Sequence, residues 1–390
     1  MAAVLIAGAG IGGLTAALAI ARAGFPVTLF DQAERLEEVG AGIQLSPNAS
    51  RILIALGLGE ALQRSVVIPQ ELRVIEARGA RVLACASLGA VIARRYGAPY
   101  WVIHRADLQA ALLAAVRAEP AISPRLGRRV DRFRLEGDGV AVATASGHER
   151  GIALVAADGL WSVLRHDLGH ADEPRFAGHT AWRALAPAAA VAPELAAPIV
   201  NLWLGPHAHL VHYPIRGGAL INVVAIVDDP RRHDGWSTPG AHEEILARFS
   251  QASWPASVRA ILAAPQAWQK WALCDRAPID AWGRGPVTLL GDAAHPMLPY
   301  LAQGAAMAIE DAAVLARRLM ETPTDPTAAM RRYEQDRRAR TARAQRAARR
   351  NGAVYHLRGV PTLLRGVVLR AIGGDGLIDR HDWLYGWRPA

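Results

Sequence analysis

Lysine is nearly missing from this chain: Lys270 is the only one among 390 residues. The net charge of +9 is therefore carried by arginine. Much of it gathers late, where Arg337, Arg338, Arg340, Arg343, Arg346, Arg349 and Arg350 lie among alanines at helical spacings. That pattern reads as a solvated helix face. No nucleic-acid motif accompanies it, so no nucleic-acid partner is expected. Cysteine is also scarce. Cys85 and Cys274 have neither metal nor redox spacing, so no metal site is expected and a reducing cytoplasm is the simplest location. No uncharged apolar run reaches the roughly eighteen residues of a membrane span, and the N-terminus lacks a basic leader and a cleavage site. Internal repeats and low-complexity linkers are absent as well. With 52% hydrophobic and 20% charged residues, the chain is expected to be globular, with two interleaved domains.

What is present is concentrated at the start. Val4-Leu5-Ile6-Ala7 is long enough for one buried strand and runs into Gly8-Ala9-Gly10-Ile11-Gly12-Gly13. Leu14 to Ala23 is Ala/Leu-rich and reads as a helix, and a second apolar run, Pro26 to Phe30, ends at Asp31. Strand, glycine turn, helix, strand and terminal carboxylate together make the dinucleotide-binding fingerprint. Gly8 permits the tight turn, Gly10 lets the backbone approach a pyrophosphate, and Gly13 allows close helix–strand packing, with Ile11 inside the same turn. The helix N-terminus offers unpaired N–H groups and partial positive charge to phosphates. Asp31, 23 positions after Gly8, is placed to accept hydrogen bonds from an adenosine ribose.

Further along, a helix is expected from about Ala49 to Leu56, after the stretch Gly40 to Asn48 that contains Gln44. Arg73 to Ala77 and Arg81 to Ser87 read as a hairpin, and Trp101 to Ile103 as a strand leading into Arg105 and a helix. Ile122 to Ala157 is strand-like and ends at Ala157-Asp158-Gly159. Thr180 to Val227 alternates apolar and polar residues, which predicts an antiparallel sheet. Val287 to Leu290 is a buried strand that meets Gly291-Asp292-Ala293-Ala294-His295-Pro296. Gln303-Gly304 opens a helix to about Met320, Tyr333 to Arg350 is helical, and the remainder is mixed.

Three of these motifs, in this order, carry a resemblance. They are the glycine fingerprint, the DGxxSxxR pattern from Asp158 to Arg165, and Gly291-Asp292 continuing through Pro299 to Gln303-Gly304-Ala305. Together they resemble the single-component FAD-dependent aromatic hydroxylases, the p-hydroxybenzoate and salicylate hydroxylase family, over nearly the whole chain. The resemblance implies that Gly8, Gly10, Ile11, Gly13 and Asp31 hold the ADP half of FAD and that Arg105 lies near the pyrophosphate. It puts Asp292 on the ribityl chain and the N–H groups of Gln303, Gly304 and Ala305 beside the flavin ring. Asp158 and Arg165 would tie the nucleotide site to the approach of NADH or NADPH. Asp31 departs from the family's usual glutamate. No second GxGxxG follows, so the pyridine nucleotide is expected to dock transiently. The arginine-rich stretch has an alternative reading here, as a patch steering anionic substrates or NAD(P)H phosphates.

The implied fold is α/β: a Rossmann-type FAD-binding domain with an inserted antiparallel-sheet substrate domain and C-terminal helices. The expected boundaries are 1–72, 101–170 and 276–345 for the FAD domain, 73–100 and 171–275 for the substrate domain, and 346–390 for the C-terminal helical segment. Within the insert, His209, Val211 and Tyr213 would share one face of a strand, with His212 opposite. The His209 and Tyr213 pair resembles one that hydroxybenzoate 6-hydroxylases and hydroxynicotinate hydroxylases use on a substrate phenol. Gln44, Pro299 and Tyr300 are further substrate-side candidates, followed by Trp182 and Arg183. The implied reaction is NAD(P)H- and O₂-dependent hydroxylation of a hydroxylated aromatic acid through a flavin C4a-hydroperoxide, by a monomer or homodimer. Halogenation, epoxidation and a non-catalytic FAD-binding role are the alternatives. A halogenase would need a pocket lysine, and the Trp268-Gln269-Lys270-Trp271 stretch lacks the matching pattern. The missing CxxC counts against a disulfide reductase.

Overall fold

The computed structural model describes residues 3–36, 41–230, 237–250 and 253–389. Gly40, the first residue of the Gly40–Asn48 stretch, lies outside them.

The N-terminal fingerprint folds as a βαβ unit. Val4–Ala7 is fully buried, the helix Ile11–Arg22 follows, and Val27–Phe30 returns parallel to the first strand. The helix begins three residues before the expected Leu14, because Gly10 is its N-cap and Gly12 and Gly13 form its first turn. Ala153–Ala156 lies on the other side of Val4–Ala7, and Val287–Leu289 pairs with Ala153–Ala156. Ile122–Arg125 and Gly283–Arg284 complete a six-stranded sheet. The ends of three parallel strands, at Ala7, Ala156 and Leu289, thus lie side by side. The glycine turn, the Asp158 corner and the Gly291-Asp292 segment emerge together at that edge, where open parallel sheets place their ligands.

The helix Gly304–Glu321 packs on Ile11–Arg22. Their contact is close: a Cβ on Gly12 would lie 2.9 Å from the Leu290 side chain and 3.1 Å from that of Ala308.

A second, eight-stranded sheet runs in the order Thr238–Gly240, Trp268–Asp275, Arg175–Pro187, Leu220–Asp228, Ala208–Ile215, Ile199–Gly205, Glu71–Glu76 and Arg81–Ser87. It is antiparallel except that Ile199–Gly205 pairs parallel with Glu71–Glu76. One face carries its own apolar core, including Trp182, Trp203, Leu210 and Trp254. The opposite face looks toward the six-stranded sheet across a cavity.

The C-terminal region is helical. Asp325 accepts from the Ala328 N–H at 2.9 Å, Pro326 occupies the first turn, and one helix runs unbroken from Pro326 to Tyr355. It passes through residues 345 and 346, the expected start of the C-terminal helical segment. A further helix, Val360–Asp379, is kinked at Gly373. The reading of the arginine row as a solvated face holds for Arg343, Arg346 and Arg350 but not for Arg337, which is only 1% exposed. Acidic residues on the neighbouring helix explain that burial.

Candidate active site

A cavity of about 440 Å³ lies between the two large sheets, in the size range of small-molecule sites. Gly10, Ile11, Arg105, Asp292, Gly304 and Ala305 line it, and so does Gln303. Gln44, His209, Tyr213, Pro299 and Tyr300 line the same space. Residues expected from separate motifs therefore face one another. Gly8, Gly13, Asp31 and Asp158 do not reach the wall.

Those four residues shape the turn from behind. Gly8 has φ of +104°, and a Cβ there would sit 2.3 Å from the Ala157 carbonyl oxygen. A Cβ on Gly13 would lie 1.8 Å from the Gly8 carbonyl oxygen. Asp31 accepts from the N–H of Ala9 at 2.6 Å and of Ala33 at 2.8 Å, so its carboxylate also fastens the turn to the end of the second strand. Asp158 accepts from Leu164 N at 3.3 Å, and burial raises its pKa. Arg165, almost fully buried, pairs with Asp172 at 3.0 Å and donates to the carbonyls of Ala293 and Ala294. The DG corner is thereby tied to the Gly291-Asp292 segment.

Gly10 differs from its neighbours. Its backbone is ordinary, with φ of −68°, and nothing lies within 4 Å of where its Cβ would be. The open space is on the cavity side, next to the N-terminus of a buried helix. Arg105 opens its own helix and lines the same cavity. Asp292 is exposed to the cavity, and the surrounding protein desolvates it and raises its pKa, opposed by His295 and Arg105. Gly304 starts the long helix, with its Cβ position 3.9 Å from Asp292 Oδ1. Just before it, Ala302 is held at φ of +52°, a conformation costly for a residue with a side chain.

A buried polar network holds this segment in place. Gln303 Nε2 donates to Ser46 Oγ at 2.9 Å, and Asn48 Nδ2 donates to Gln303 Oε1 at 3.1 Å and to Glu310 Oε1 at 2.6 Å. Arg337 pairs with Glu310 at 2.6 Å and with Asp311 at 2.7 Å, and Asp311 lies 2.5 Å from His295 Nε2. Burial alone would raise the Asp311 pKa, but His295 and Arg337 hold it down at about 2. Asn48, His295, Glu310, Asp311 and Arg337 had no functional assignment from sequence. The one available signal was His295 inside the Gly-Asp motif.

On the strand Ala208–Ile215, His209, Val211 and Tyr213 face the cavity. His212 faces the other way, stacked 6.5 Å from Trp203. Burial, then the nearby His356 and His179, hold the His209 pKa well below the usual imidazole range. Burial raises that of Tyr213, opposed by Arg183, a cavity-lining cation. Gln44 Oε1 accepts from the Tyr100 hydroxyl at 2.6 Å. The Tyr300 ring sits 5.5 Å from that of His209, and its buried hydroxyl has no hydrogen-bond partner among the described residues. Trp182 lies on the far face beside Trp268 and under Lys270, so it is not a cavity residue. His179, Asp228 and His356 bring ligand-type atoms within 4.8 Å of one another. Arg358 pairs with the same carboxylate, which sets its cation in competition with any metal ion.

Residues 1–349 match the FAD binding domain family. The chain is 39% identical to a 3-hydroxybenzoate 6-hydroxylase of Polaromonas naphthalenivorans, over 98% of this chain and 96% of that protein. It is 40% identical to the 3-amino-4-hydroxybenzoate 2-monooxygenase PtnB3 of Streptomyces platensis, over 99% and 96%. Among solved structures it resembles a salicylate hydroxylase substrate complex (TM-score 0.84, 27% identity, 100% and 96% covered). It also resembles Klebsiella pneumoniae HpxO complexed with FAD and uric acid (TM-score 0.86, 28% identity, 97% and 95% covered). The chain belongs to the FAD-dependent aromatic hydroxylases.

The hydroxylase's own residues fit that cofactor. The free space over Gly10 suits a diphosphate, the helix N-terminus beside it favours negative charge, and Asp292 offers a carboxylate further along the same wall. No helix among the described residues is long and apolar enough to cross a membrane.

Proposed function

We propose that this hydroxylase acts on a benzenoid or pyridine acid that carries a ring hydroxyl, of the 3-hydroxybenzoate, salicylate or hydroxynicotinate type. NADH or NADPH would be the reductant. The observation that carries this reading is the shared wall: His209 and Tyr213 face the same cavity as Arg105, Asp292 and Gly304. Bound FAD supplies O₂ activation and oxygen transfer; what the chain supplies is binding, orientation and proton handling.

His209 is the base for the substrate phenol. Its depressed pKa keeps it neutral in the empty cavity, ready to accept a proton. A phenolate is more electron-rich than a phenol, and a positioned base is worth roughly 10²–10⁴-fold. Tyr213 and the unpartnered hydroxyl of Tyr300 orient the ring, and Arg183 supplies positive charge for a carboxylate. Apolar neighbours such as Val211 and Ile226 keep water from the reacting face. Gly8, Gly13, Asp31 and Asp158 act one layer back, by shaping the cofactor turn. The hairpin of residues 71–87 belongs with the substrate-domain sheet in this division of the chain.

Lys270 pairs with Glu244 at 3.2 Å and lies over Trp182, away from the cavity wall, which speaks against halogenation. The test is aerobic NADH and NADPH oxidation by FAD-loaded protein with a panel of hydroxybenzoates and hydroxynicotinates, assaying peroxide in parallel. Strong stimulation by one acid with little peroxide is the expected result. His209→Ala should keep its FAD and lose coupled hydroxylation. Full coupled turnover by that variant would remove His209 from the mechanism.

A further inference from the structure

Behind the cavity wall runs a series of titratable groups that the reading above does not use. His209 Nδ1 lies 3.0 Å from His356 Nε2, and His356 Nδ1 lies 2.5 Å from Asp228 Oδ1. Asp228 Oδ2 lies 3.1 Å from Nδ1 of His207. His209 is 2% exposed, whereas the His207 side chain is 56% exposed. The series therefore begins at the cavity and ends in solvent. Other charged or titratable groups face it from each neighbouring element. His179 lies 3.4 Å from Asp228 Oδ1, Arg358 pairs with Asp228, and the rings of Tyr300 and Tyr355 flank His209 at 5.5 and 5.2 Å.

We propose that His356 and Asp228 form, with His209, a proton exit carrying the substrate's phenol proton from the cavity to solvent. The proposal rests on His209 being the base for that phenol. Hydrogen-bond chemistry sets the direction. The Asp228 carboxylate only accepts, so His356 Nδ1 carries a proton and its Nε2 has a lone pair. His209 Nδ1–H then donates to that lone pair, which leaves His209 Nε2 as the basic nitrogen for the substrate.

The transfers balance. The phenol O–H breaks as an N–H forms on His209 Nε2. The Nδ1–H of His209 passes to His356 Nε2, and the Nδ1–H of His356 passes to Asp228, whose side chain is 22% exposed, and on to water. One phenolate and one solvated proton result, with no electron transferred. Reverse passage, when the product regains its phenol proton, restores the starting tautomers. The reason for a relay is physical: an imidazolium left at His209 would stay buried between aromatic rings, whereas one at His356 sits against a carboxylate. His356 and Asp228 are positioning residues here, since neither lines the cavity.

The test uses the oxidised, FAD-loaded enzyme without NAD(P)H, mixed rapidly with 3-hydroxybenzoate in weak buffer containing a pH-indicator dye. Wild type should form phenolate and release a proton together. His356→Gln should slow both by about tenfold or more, with partial rescue by added imidazole. Asp228→Asn should move the pH midpoint of phenolate formation upward. Wild-type proton release by both variants would overturn the relay. If His209→Ala had by then lost the phenolate signal, the base reading would survive; if it had not, that reading would fail as well. Should His356→Gln lose its FAD through misfolding, Asp228→Asn decides alone. Wild-type binding of 3-hydroxybenzoate without proton release would also overturn the exit.

Discussion

Arg337 Nε donates to Asp311 Oδ1 at 2.7 Å, joining the C-terminal helix to the helix that opens beside the cavity, and both side chains are buried. Arg337 also holds Glu310, which Arg340 grips as well at 2.7 Å, so the two buried carboxylates share a cluster of cations. Arg337→Met should leave Asp311 to His295 and Glu310 to Arg340 and cost up to about 3–5 kcal/mol, because weakening a buried pair leaves charge poorly compensated in a medium that solvates it poorly. Urea denaturation of the FAD-free protein measures this. A loss under about 1 kcal/mol would show that the network contributes specificity more than stability.

The space over Gly10 makes a second prediction. Gly10→Val should fold normally, because the backbone is in an ordinary conformation and the new Cβ has no neighbour within 4 Å among the described residues. FAD affinity should fall by tenfold or more, read by flavin fluorescence on titration, as an estimate of about 1.4 kcal/mol or more lost. Gly13→Ala should instead fail to fold well, since its Cβ would overlap the Gly8 carbonyl. Tight FAD binding by Gly10→Val would place the diphosphate elsewhere.

Tyr300→Phe removes a buried hydroxyl that has no partner among the described residues, so thermal stability should hold or rise slightly. The acid substrate should bind about 3–10-fold more weakly if that hydroxyl is kept for it, consistent with about 0.5–1.5 kcal/mol for one hydrogen bond. Substrate-induced changes in the flavin spectrum give the affinity. Unchanged binding would make Tyr300 a packing residue.

His212 makes the acid limb predictable. Burial pushes its pKa from the ordinary 6.5 to about 3 in the folded state. The unfolded chain therefore binds more protons below pH 6.5, and the contribution to stability is full above that pH and lost as pH falls toward 3. The slope approaches about 1.4 kcal/mol per pH unit. His212→Phe, keeping a ring against Trp203, should flatten the loss of melting temperature between pH 6.5 and 4. An unchanged acid limb would assign it to other groups.

The sequence by itself determined the cofactor half of this protein. Gly8, Gly10, Gly13 and the acid at Asp31 are local requirements, since each answers to a turn, an approach or a strand end within about thirty residues. The same is true of the period-two pattern that put His209, Val211 and Tyr213 on one face and His212 on the other. Sequence did not reveal which charges are buried. A row of arginines at helical spacing looks solvated until a neighbouring helix presents Glu310 and Asp311 to Arg337. Nor did it reveal His356, which lies 147 positions from His209 and meets it because the long helix ends against the substrate sheet. Backbone conformation and face periodicity are set by near neighbours and can be read along the chain. Desolvation and ion pairing depend on what tertiary packing brings from far away, and only the folded structure decided them.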